Sequence, residues 1–191
     1  MADSDSTLLA RYRRGETDAL QVLVEKYRHP LFGFIVNTVR GQDEADEIFQ
    51  EVWFRVIRKL GSYRQKNFLG WLVRIARNLV IDRARRRKPG MSFDAEPAEG
   101  PRLTETIAGN DAGPAHGVEM SELGQRVRQA VETLPPEQKE VFVMRVQTAL
   151  PFKEIAEIQN VSINTALARM QYALAKLREQ LHEEYRQLSR A

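Results

Sequence analysis

"DEADEIFQEVWFRVIRKL", residues 43–60, is the stretch from which the fold can be read. Ala45, Ile48, Phe49, Val52, Trp53, Val56, Ile57 and Leu60 recur at the three- and four-residue spacing of one helix face. A half-buried strand needs apolar residues at every second position, and that alternation appears nowhere convincingly in the chain, so the expected class is all-α. Asp43 can cap this helix and Gly61 can end it. The face opposite the stripe carries Glu47, Gln50, Glu51, Phe54 and Arg58. Phe54 amid polar groups has two readings: a singly exposed apolar residue, which is common, or an interface anchor inside a polar rim.

Upstream, Leu20, Leu23, Val24, Tyr27, Leu31 and Ile35 keep a helical period straight through Pro30, which predicts a kink there rather than a break. Downstream, the polar loop "GSYRQKN", residues 61–67, leads into "WLVRIARNLVIDRARRRK", residues 71–88, with seven basic residues and one acid, Asp82. Helical phase puts Trp71, Arg74, Asn78, Asp82 and Arg85 in one sector, with Phe68, Leu72, Ile75, Ala76 and Leu79 in the next. Burying the second sector displays an aromatic ring, guanidinium groups and an amide, which are tools for gripping phosphates and for stacking on bases. A solvated helix would also accept "RARRRK" at its C-terminal end, where positive charge favours the helix dipole.

The net charge of +3 conceals a segregation. Residues 1–88 carry +7, residues 89–122 carry −6 and residues 123–191 carry +2. The acidic part is also rich in Pro, Gly and Ala and lacks an apolar period, so residues 89–120 read as a flexible acidic linker. The expected architecture is therefore two small helical domains, residues 1–88 and 121–191, joined by that linker. The chain has no cysteine, which excludes disulfides and thiolate metal sites, and its three histidines are scattered, so no cofactor or metal is expected. The start "MADSDSTLLARYRRG" lacks an apolar core and no apolar run approaches about 18 residues, so a cytoplasmic chain without membrane insertion is expected.

In the second domain, "MSELGQRVRQAVETL" and "PPEQKEVFVMRVQ" read as two helices separated at residues 134–135. Pro151 fits the first turn of a third. "FKEIAEIQNVSINTALARMQYAL", residues 152–174, reads as a helix-turn-helix: small Ala156 permits close crossing, Asn160 to Ser162 make the turn, and Ser162 caps the second helix. Ile163, Ala166, Leu167, Met170 and Leu174 are expected to face inward. Asn164, Thr165, Ala168, Arg169, Tyr172 and Lys176 are expected to face outward, where a recognition helix meets the major groove. Any small helical hairpin packed on a partner would share this pattern. There is no Gly-rich phosphate loop, Ser–His–Asp set or opposed carboxylate pair, so an enzyme is not expected.

"DEADEIFQEVWFRVIRKLGSY" followed by "FLGWLVRIARNLVIDRARRR" closely resembles the polymerase-binding and −10-promoter-binding region of extracytoplasmic-function (group four) sigma factors. "LPPEQKEVFVMR" and the helix-turn-helix after it resemble their −35-binding domain. The resemblance implies a non-enzymatic subunit that docks on core RNA polymerase, directs it to promoters and helps melt the −10 element. It implies that Asp46, Gln50, Glu51, Phe54 and Arg58 meet the clamp coiled coil of the large polymerase subunit. Residues 62–67 match the segment that receives a flipped base, so Tyr63, Arg64, Lys66, Asn67, Trp71, Arg74, Arg77, Asn78 and Arg85 are the implied −10 contacts, on melted single strand. Ser162, Asn164, Thr165, Ala168, Arg169, Tyr172 and Lys176 are the implied contacts to −35 duplex. Many family members are held inactive by an anti-sigma factor, which the resemblance adds as a candidate partner. In the family the linker threads toward the polymerase active-site cleft and RNA exit path.

The recognition helix departs from the family pattern. The family commonly shows Gly-Thr-Val-Lys-Ser-Arg and further arginines, whereas this chain has "NTALAR" and then "MQYALAK". Leu167, Tyr172 and Leu174 stand where basic residues are usual, and each missing phosphate contact weakens binding and its salt dependence. Weak −35 reading, an unusual −35 element, or affinity supplied by the polymerase would each fit. Pro151 also replaces a usual capping serine. A stand-alone DNA-binding regulator is the main competing reading, and it leaves Phe54 and the basic helix unexplained.

Overall fold

The computed structural model describes residues 4–63, 67–87, 122–182 and 186, and every regular element in them is helical. The chain divides into two units, Met1–Ser92 and Phe93–Ala191. The expected linker, residues 89–120, lies outside the described residues.

The first unit opens with α1 (Asp5–Arg13), capped by the Ser4 hydroxyl, which accepts from the Thr7 amide at 3.2 Å. Asp5 then ties α1 to α2 (Asp18–Val36): Lys26 Nζ lies 2.6 Å from its carboxylate, and the Tyr27 hydroxyl donates to the same group. Burial, and after it the bond to Asp5, pushes the Tyr27 hydroxyl far up, so it stays a protonated donor. α2 continues through Pro30 without a break, as the apolar period requires.

The helix at residues 43–60 is α3 (Gln42–Lys59), with Ala45, Ile48, Val52, Trp53 and Val56 buried. Gly41, not Asp43, is its N-cap; Asp43 sits in the first turn, where its charge faces the positive end of the dipole. Ile57 leaves the expected stripe and is 42% exposed. The α-helix ends at Lys59 rather than at Gly61, and the chain tightens into a 3-10 turn over Leu60–Ser62. α4 (Phe68–Arg87) packs on both α2 and α3. Its first residue, Phe68, is fully buried, with its ring 5.5 Å from Tyr27, 5.4 Å from Tyr63, 5.8 Å from Trp71 and 6.4 Å from Trp53. Leu23, Phe34, Ile48 and Leu72 are also fully buried. Each such side chain contributes roughly 1.5–3 kcal/mol, far more than helix propensity supplies, so packing holds these helices.

The second unit contains α5 (Glu122–Glu132), α6 (Pro136–Thr148), α7 (Phe152–Gln159) and α8 (Ile163–Gln180). α6 ends at Ala149 in the left-handed region, φ 53°, and the Arg145 guanidinium holds that turn by donating to the carbonyls of Ala149 and Leu150 at 3.0 and 2.9 Å. Pro151 is the extended N-cap of α7 rather than a residue of its first turn. α7 ends at left-handed Asn160, φ 57°, and Ser162 caps α8 by accepting from the Thr165 amide at 3.1 Å. That is a helix-turn-helix, with Ile155, Ala156 and Ile158 buried on its first helix.

α8 corrects one expectation. Its buried residues are Ala166, Ala173 and Leu177, while Ile163, Leu167 and Leu174 are exposed and Met170 is half-buried. Two alanines bring α8 close to α6 and α7, Leu177 is buried with them, and Ile163, Leu167 and Leu174 are left exposed.

Candidate polymerase and nucleic-acid interfaces

On α3 the side opposite the core carries Asp46, Gln50, Phe54 and Arg58, all exposed, with Glu51 half-buried. Phe54 is 62% exposed although Val52 and Val56, two positions either side, are fully buried. Glu51 is held by Arg55 at 2.9 Å and Glu47 by Arg83 of α4 at 2.9 Å. The patch is therefore an aromatic ring among charged and amide groups, with the 42% exposed Ile57 one turn along, on a helix that cannot turn because its other face is packed. That arrangement suits an aromatic anchor entering an apolar pocket with polar groups at the rim.

On α4 the structure places the expected −10 residues unequally. Asn78 and Arg85 are exposed, and Arg74 and Arg77 are half-buried. Trp71 is 9% exposed, with its ring 4.7 Å from the buried Tyr63, so neither aromatic is an open stacking platform. The helical phase of Trp71 is that of Asn78, as expected, but the Tyr63 ring lies against Trp71 and Phe68 in the first turn of α4. Asn67 caps α4, its Oδ1 accepting from the Gly70 amide at 3.1 Å. Arg64 and Lys66 lie outside the described residues. What remains open to a partner on this helix is its second half, an amide and guanidinium face.

On α8, Ser162, Asn164, Thr165 and Tyr172 are exposed, Tyr172 by 65%, and Ala168, Arg169 and Lys176 are half-buried. Both basic residues are engaged inside the domain. Arg169 Nη1 donates to Gln159 Oε1 at 2.8 Å, and the Gln159 amide in turn donates to the Glu137 carbonyl and the Glu140 carboxylate. Lys176 donates to the Thr133 carbonyl at the end of α5, at 3.0 Å. The outward face of this helix is thus led by neutral hydrogen-bonding groups. Gln159 was not singled out in the sequence; its position at the end of an amphipathic helix gives no sign that it is buried and joins three helices.

Comparison with known proteins matches these two units to two families. Sigma-70 region 2 covers residues 23–89, from α2 to the end of α4, and sigma-70 region 4 covers residues 124–177, which includes the helix-turn-helix. The class defined is a sigma-70-type transcription initiation factor. The extracytoplasmic-function sigma factor SigW of Bacillus subtilis (strain 168) is 30% identical over 178 residues, covering 92% of this chain and 95% of that one. The RNA polymerase sigma-H factor of Pseudomonas aeruginosa is 30% identical over 175 residues, covering 88% and 89%. Among solved structures, CnrH in complex with the cytosolic domain of CnrY aligns over 95% of this chain and 99% of that one, with a TM-score of 0.65 and 20% identity. RpoE in complex with the anti-sigma factor NepR from Bartonella quintana aligns over 85% and 96%, with a TM-score of 0.62 and 19% identity. The chain belongs to the extracytoplasmic-function (group four) sigma factors, which direct RNA polymerase to promoters. No helix among the described residues is long and apolar enough to cross a membrane.

Proposed function

We propose that the chain docks on the clamp coiled coil of core RNA polymerase through Asp46, Gln50, Glu51, Phe54 and Arg58, and helps melt the −10 element on α4. The observation that carries this reading is Phe54, exposed within a polar rim on a helix whose other face is buried. In the reading, residues 1–88 form the polymerase and −10 domain, residues 89–120 the linker and residues 121–191 the −35 domain. Asn78 and Arg85 on the open half of α4, with Arg74 and Arg77 beside them, hold the melted strand; Tyr63, Asn67 and Trp71 shape the surface beneath it. Asn164, Thr165 and Tyr172 face the −35 duplex. The protein works where polymerase and promoter DNA are, in the cytoplasm, and answers to stress through an anti-sigma partner. The RpoE structure bound to an anti-sigma factor supports the anti-sigma partner.

Two measurements test the DNA side. Asn78→Ala is expected to lower promoter opening about tenfold, one amide-to-base contact being worth about 1–3 kcal/mol, while polymerase affinity stays at the wild-type value. Equal loss of both activities places Asn78 in the fold. Tyr172→Arg adds a guanidinium to an exposed position, so it is expected to tighten −35 duplex binding and steepen the salt slope by about one. An unchanged slope removes this face of α8 from the DNA.

A further inference from the structure

α1 lies N-terminal to the segment matched by sigma-70 region 2, and none of its residues belongs to the surfaces described above. Yet its last residue reaches across to the chain after α3. Arg13 Nη2 donates to the Leu60 carbonyl at 3.3 Å and to the Tyr63 carbonyl at 3.1 Å, across 47 and 50 residues of sequence. These two carbonyls bracket the 3-10 turn that ends α3, where carbonyl groups run out of helical amide partners and the dipole is negative. A guanidinium suits that end on both counts, because its fork can serve two acceptors and its charge opposes the dipole. Leu60 also accepts from the Tyr63 amide at 3.3 Å, so the cation and the turn share one acceptor.

Tyr63 is held from the other side too. Its ring packs on Phe68 at 5.4 Å and on Trp71 at 4.7 Å, both in the first turn of α4. The backbone at Tyr63 is therefore gripped at its carbonyl by α1 and at its ring by α4, just where the chain passes from the polymerase-facing helix to the DNA-facing one. Sites that discriminate between bases must be held within about 0.5 Å by the groups behind them. We infer that Arg13 is a positioning residue for −10 recognition: it sets the backbone at Leu60 and Tyr63, and thereby how the Tyr63 ring packs on Trp71 beneath the strand-holding face of α4. The inference rests on the reading of α4 as the −10 surface.

The test uses holoenzyme assembled from core polymerase and full-length protein. The probes are a forked promoter template that the wild-type holoenzyme opens and the same template with its single-stranded −10 bases made abasic. Wild type is expected to prefer the intact template about tenfold, the scale set by losing one base contact. Arg13→Ala is expected to reduce that preference to about twofold while polymerase affinity and the thermal midpoint stay near wild type, and Arg13→Lys, which keeps the charge without the fork, to recover part of it. An undiminished preference in Arg13→Ala overturns the inference. So does a fall in thermal midpoint and polymerase affinity that tracks the loss, or an Arg13→Lys variant that is stable and recovers nothing. If wild type itself shows no preference, the −10 reading of α4 fails, and the inference goes with it.

Discussion

Phe54→Ala is expected to weaken core polymerase binding about 30-fold or more, the loss of roughly 2 kcal/mol typical of an aromatic anchor at the centre of an interface. The same change should leave the thermal midpoint almost unmoved, because a ring 62% exposed in the free protein adds little to folding. Few substitutions separate binding from stability so cleanly. The neighbouring Val56, fully buried on the other face, would do the opposite and damage the fold first. Titration of labelled polymerase with each variant, alongside a thermal melt, makes the comparison. Wild-type affinity in Phe54→Ala would mean that the ring is only a stray exposed apolar group.

Trp71→Ala carries the second large effect, and it is an effect on folding. Large-to-small substitution of a buried tryptophan costs about 3–5 kcal/mol, and stability as a whole is only about 5–15 kcal/mol. Here the indole is 9% exposed and packs on Tyr63 and Phe68, so its removal also loosens the connection between α3 and α4. The first unit is expected to melt more than about 10 °C lower, with polymerase binding and promoter opening lost together. Asn78, on the same side of α4 two turns later, is expected to lose opening alone. A Trp71→Ala protein that melts like wild type and fails only at opening would return the indole to the DNA surface.

The contrast between Trp71 and Asn78 shows what the sequence can and cannot carry. Direction around a helix follows from the period, and it placed the two residues together. Depth along the axis depends on what packs against each turn, and the Tyr63 ring packs against the first. The stripe on α3 was legible for the same reason, since Ile48, Val52 and Val56 are buried as their spacing demands. Ile57 was not, because it sits at the margin of the stripe and borders a shallow cleft with Tyr12 and Leu60. On α8 the period was right and the phase was not. Leucine and isoleucine outrank alanine in hydrophobicity, but Ala166 and Ala173 let the helices approach, and close packing chose them over Leu167 and Leu174. Long-range polar partners leave no local trace at all. Nothing near Arg13 announces Tyr63, and nothing near Arg169 announces the Gln159 amide.

Those partners sharpen the expectation for the −35 side. The recognition helix already lacks the basic residues usual in the family at Leu167, Tyr172 and Leu174, and Arg169 and Lys176 are bonded within the domain. Phosphate contacts set most of the affinity of a DNA-binding helix, so the polymerase is expected to supply the larger share here.

Central to the account is that DNA recognition by this chain belongs to a polymerase complex. The most direct measurement is binding of the full-length protein to a pre-opened −10 promoter template, with and without core polymerase, read by retention of the template and by run-off transcript. The account predicts a ternary complex and a transcript only when polymerase is present, both lost in Phe54→Ala. Equal retention of the template without polymerase, and no transcript with it, would contradict the account and leave a stand-alone DNA-binding protein.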